Sequence, residues 1–155
     1  MKFLVTKALH NNPLLKLVVL FFVAVLGLFL LFDIVLHHYQ IGLTLTLATE
    51  CLLGNEEAFV EPLLFDVLLE RVHIGIFTSM ITLVLLSIIY MRVTNVQKSK
   101  LIHIAFISAI FAPLSLLLAY FYGSVFIMAW IGLFLLWHVV GLYLAFSTFW
   151  KLLRS

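Results

Sequence analysis

The residues able to do chemistry fall into two short runs. Asp33 and His37 stand four residues apart, and Asp66, Glu70 and His73 follow one another at spacings of four and three. On a helix such spacings put side chains on one face, and at about 100° per residue Asp66, Glu70 and His73 form a narrow stripe. If the two runs face each other, three carboxylates and two imidazoles converge, with His38 as a further ligand. That donor set suits a divalent transition metal such as zinc, iron, manganese or copper. Glu70 and His73 have the Glu-x-x-His spacing of carboxylate-bridged di-iron bundles. Such a site needs two of these motifs and the chain has one. The same residues also read as a hydrogen-bonded or solvated cluster at two helix ends.

Haem b is a second chemistry for the same region. It asks for two axial ligands from facing helices at matched depth, which His73 with His37 or His38 would supply. His103 and His138 differ in depth by about 15 Å at 1.5 Å of rise per residue, so they cannot share one haem. His138 stands apart in the middle of the last apolar run, with Gly141 and Ala145 near its own face. Small residues mark close helix contacts in membranes, so His138 is expected to point inward, neutral and hydrogen-bonded. Pro113 lies at similar depth and frees the carbonyl of Ala109, which makes that carbonyl the expected partner.

These side chains need elements to hold them, and the composition says which kind. Of 155 residues, 65% are hydrophobic and 10% charged. A water-facing surface takes about 25% charged residues, so a soluble enzyme or a nucleic-acid binder is excluded. No Asp, Glu, Lys or Arg interrupts residues 17–32, 72–91 or 101–150. A bilayer is crossed by about 20 residues, so the last run must hold two spans, turning at Gly123 and Ser124. The expected fold is all-α and integral to the membrane. It is one transmembrane domain, residues 1–155, built as a four-helix bundle with helices near 13–37, 64–92, 101–122 and 125–150. Continuous apolar runs without alternation argue against a membrane barrel.

Charge sets the expected orientation. Lys2, Lys7, Lys16, Arg92, Lys98, Lys100, Lys151 and Arg154 would all fall at one end of the bundle, and basic residues stay on the cytoplasmic side. Both termini are therefore expected in the cytoplasm, as in a bacterial inner (cytoplasmic) membrane. All seven acids lie between Asp33 and Glu70, around an outer loop at 38–63. That loop is apolar and threonine-rich, and is expected to lie in the interface or pack on the bundle, with a turn at Gly54-Asn55 and Pro62 in the first turn of the second span.

The single cysteine, Cys51, excludes a disulfide or a paired-thiol redox site. No phosphate loop, nucleophile with a base, or mid-span carboxylate is evident. The expected role is that of a non-catalytic subunit or assembly factor of a larger membrane complex, in contact with lipid and with other subunits or further copies of itself. The alternative is a protein binding a metal or haem b at the outer ends of the first two helices.

Overall fold

The computed structural model describes residues 12–95 and 99–154. Lys2, Lys7 and Lys98, used above for orientation, lie outside the described residues. The elements are α1 (Pro13–Gln40), α2 (Leu45–Leu53), α3 (Phe65–Thr94), α4 (Lys100–Tyr122) and α5 (Ser124–Arg154). Four of them, α1, α3, α4 and α5, are long and apolar enough to cross a membrane. Among the described residues there is no strand, only an isolated bridge between Asn55 and Val60 that closes the turn after Gly54.

The helix ends follow local chemistry. Asn12 caps α1, its side-chain oxygen accepting from Leu15 N at 3.2 Å, and Pro13 starts the helix where a missing N–H costs nothing. At the other end Ile41 and Gly42 both donate to the His37 carbonyl. Gly42 has φ +93°, and a Cβ there would lie 2.4 Å from that of Leu47, so only glycine fits this tight exit into α2. Residues His38 to Gln40 thus prolong the first helix beyond the expected 37. Pro62 precedes α3 in the extended lead-in rather than occupying its first turn. Gly123, at φ +79°, breaks the long uncharged run into α4 and α5.

Packing centres on α5. Its contact with α4 is the most extensive, because α4 presents Ala105, Ser108, Ala109, Ala112, Ser115 and Ala119, all buried, as one stripe of small residues. Helix α1 lies antiparallel on the other side of α5. A Cβ at Gly141 would meet Leu30 Cδ1 at 3.0 Å, one at Gly27 would meet Ala145 Cβ at 3.7 Å, and the rings of His37 and Phe134 lie 4.6 Å apart. These contacts climb α1 as they descend α5, three or four residues at a time. Helix α2 packs over α4 and α5 at the loop end, burying Ala48 and Leu52. Contact between α1 and α3 is slight.

Candidate functional site in the seam and cleft beside α1

The seam between α1 and α5 places Asp33 opposite His138. The Nε2 of His138 lies 2.9 Å from Asp33 Oδ2, and its Nδ1 lies 2.8 Å from the Phe134 carbonyl. The histidine side chain is 0% exposed and the aspartate 14%. A carbonyl only accepts, so Nδ1 carries a hydrogen and donates it to Phe134. One further proton is then shared between Nε2 and the carboxyl, whichever holds it. The imidazole lies against Trp137 and Phe134, with ring centroids 3.7 Å and 4.1 Å away and the rings tilted by 39° and 48°. His37 also donates from Nδ1 to its own helix, to the Asp33 carbonyl at 2.9 Å, and that nitrogen is 3.5 Å from Asp33 Oδ1.

This differs from the expected arrangement in three ways. His138 is buried and bonded, but both its ring nitrogens are engaged by Phe134 and Asp33, so the expected bond to Ala109 is not made. Ala109 and Pro113 instead line a cavity of about 30 Å³ with Asp33, His37, Gly75, Trp130 and Trp137, enough for one or two water molecules. Asp33 is also deeper than a helix end. It lies seven residues, about 10 Å, inside the end of α1.

The third difference concerns α3. Leu68, Val72 and Ser79 are its buried face in this half. At about 100° per residue, the stripe of Asp66, Glu70 and His73 lies half a turn away from that face. Asp66 and His73 are exposed, and the stripe continues to Phe77, 62% exposed. Apolar burial set the rotation of α3 and turned Asp66 and His73 outward, while Glu70, also exposed, lines one cleft with Asp33 and His37. His38 is exposed as well. Among the described residues, no three His, Cys, Asp or Glu side chains are grouped to hold a metal ion. Of the three histidines named for haem, His37 lies against Phe134, and His73 and His38 are exposed.

Between α1 and α3 the slight contact leaves a cleft of about 390 Å³. Its walls are Phe29, Asp33, Leu36, His37 and Gln40 from α1, and Val67, Glu70, Arg71, Ile74, Gly75 and Thr78 from α3. Arg71 crosses the gap and donates from Nη1 to the Gln40 carbonyl at 3.1 Å, satisfying an open carbonyl at the end of α1. Cys51 donates its thiol hydrogen to the same carbonyl at 3.4 Å. Burial pushes the Cys51 thiol above its ordinary range, and the Arg71 charge pulls partly the other way. The cleft residues Arg71 and Gly75 carried no weight in the sequence. The small residues of this seam, Gly27 against Ala145 and Gly141 against Leu30, were the signal that could have joined that pair.

Helices of this length and hydropathy, packed around a buried polar pair, define an integral membrane protein built from four transmembrane helices. The chain matches the Aq_1264_TM family, described as a transmembrane helical domain, over residues 42–155, and it belongs to that family. The match takes in α2 to α5 and hence His138, and begins after Asp33. No curated protein and no solved structure matches the chain.

Proposed function

We propose that the protein is a non-catalytic component of a larger membrane assembly, a subunit or an assembly factor, set in a bacterial inner membrane with both termini cytoplasmic. The observation that carries this reading is the Asp33–His138 bond. It spends the buried acid and the buried base on each other, as a tie between α1 and α5. A reacting site needs protic groups aimed at a common open position. Here both histidine Nδ1 atoms are committed to backbone carbonyls of their own helices. Away from the exposed Asp66, Glu70 and His73 near the start of α3, the outer surfaces of α1, α3, α4 and α5 are largely apolar, as suits lipid or neighbouring spans. Lys16, Arg92, Lys100, Lys151 and Arg154 share the end opposite α2, which supports a cytoplasmic assignment for that end.

The test is the size of the particle in its own membrane. Extracted in mild detergent at native expression level, the protein is expected in a complex of reproducible composition, well above the 17.7 kDa of one chain. A monomer under those conditions overturns the reading. Reporter fusions after Asn55 and after Arg154 are expected to report outside and cytoplasm respectively.

A further inference from the structure

We infer that the cleft between α1 and α3 is a binding site for a phospholipid headgroup carrying a phosphate and a primary ammonium, as in an ethanolamine phospholipid. This goes beyond the assembly reading and does not depend on it. The first ground is position. The cleft lies between two lipid-facing helices that hardly touch, so lipid is its natural neighbour. Glu70 and Arg71 lie five and six residues inside the start of α3, and His37 three residues inside the end of α1. At 1.5 Å per residue these are depths of about 5–9 Å. The headgroup layer on each side of a bilayer is about 5–8 Å thick. The charged wall therefore lies at headgroup depth, and Phe29 and Ile74 supply apolar wall for the glycerol and first acyl carbons.

The second ground is charge. Arg71 is the one basic residue among the acids of this half of the chain. Its guanidinium has five N–H donors, of which the Nη1 contact with Gln40 uses one. An arginine held in place with donors remaining is suited to phosphate. Beside it, Glu70 offers a carboxylate at the exposed rim. The Asp33 carboxyl below is already taken by His138 and His37. A purely anionic headgroup would meet Arg71 but be repelled by Glu70. A choline headgroup would balance charge yet has no N–H to give the carboxylate. A primary ammonium has three, so it alone completes both contacts. The volume, about 390 Å³, is within the range of small-ligand sites.

The experiment uses the full chain, delipidated in detergent, then exposed to equal amounts of phosphatidylethanolamine, phosphatidylcholine and phosphatidylglycerol and read by native mass spectrometry. One ethanolamine lipid per chain is expected to survive activation, at least fivefold above either competitor. Glu70→Gln is expected to bring ethanolamine and choline lipids within twofold of each other. Arg71→Met is expected to lower retention of every phospholipid at least tenfold. Because Arg71 also holds the end of α1, Glu70→Gln is the deciding variant: its side chain is exposed and makes no tie between helices. Equal retention of the three lipids by the unaltered protein overturns the proposal. An ethanolamine preference that Glu70→Gln leaves intact does so too, as does binding only as a loosely held annulus lost on first activation. None of these results bears on the size of the native particle, so the assembly reading stands or falls separately.

Discussion

Helix α1 has two edges that behave differently. Toward α5 it is closed at every turn, through Gly27 with Ala145, Leu30 with Gly141, Asp33 with His138 and His37 with Phe134. Toward α3 it is open, spanned by the single reach of Arg71 to the Gln40 carbonyl. Small residues permit approach, and approach permits a direct hydrogen bond between short side chains. On the α3 side the cleft is lined by Val67, Glu70, Arg71 and Ile74 together with Gly75 and Thr78, and the bulky members hold the backbones apart. The same helix is therefore fixed on one side and accessible on the other.

The largest effect is expected from breaking the closed edge at its polar rung. His138→Leu leaves the largely buried Asp33 carboxyl with His37 alone, 3.5 Å away, and the loss is expected to approach about 3–5 kcal/mol, the cost of removing one member of a buried pair. Steric-trap or denaturant unfolding in detergent would read it. The double change Asp33→Leu with His138→Leu is expected to recover most of that loss, because no polar group is stranded. If the double variant is as unstable as His138→Leu alone, the pair is not a tie. Gly141→Leu attacks the same edge by volume. Its Cβ meets Leu30 at 3.0 Å before the rest of the side chain is added, and overpacking of this kind costs about 1–3 kcal/mol. Gly75→Ala, across the open edge, has 3.9 Å to Pro113 Cβ and is expected to be tolerated within about 0.5 kcal/mol.

Arg71→Met tests the open edge and is expected to be milder, about 1 kcal/mol, through a less satisfied carbonyl at the end of α1. The smallest effect is chemical. Burial favours the neutral thiol of Cys51, so its alkylation should be slow at neutral pH. The rate should keep rising beyond about 8.5, the usual thiol value. A rate that levels off about one pH unit above the usual thiol value would show an unburied thiol, and one that levels off below about pH 8 would show that the Arg71 charge outweighs burial.

The sequence was most readable where a single helix carried the whole message. Uncharged runs marked the spans, Gly123 marked the hairpin between α4 and α5, and Gly141 and Ala145 beside His138 marked an inward face. Rotation of α3 was harder, because two stripes competed. Asp66, Glu70 and His73 share a face by spacing, but Leu68 and Val72 share another, and burial of the apolar stripe decided which turned inward. The Asp33–His138 bond was illegible for a different reason. Its members are 105 residues apart, and spacing along one helix says nothing about which second helix comes alongside. Asp33 was matched with its neighbour His37, although the apolar residues beyond it, Ile34 to Leu36, already carried the helix on past a terminal position.

That separation also has a consequence in time. Translation proceeds at about 5–20 residues per second, so α1 precedes its partner by roughly 5–20 s. During that interval Asp33 has no imidazole to meet. The rest of that span is the most apolar of the four, enough to offset one carboxylate. The tie between α1 and α5 is therefore the last of the contacts of α1 to form, made only once the final span has joined it in the bilayer.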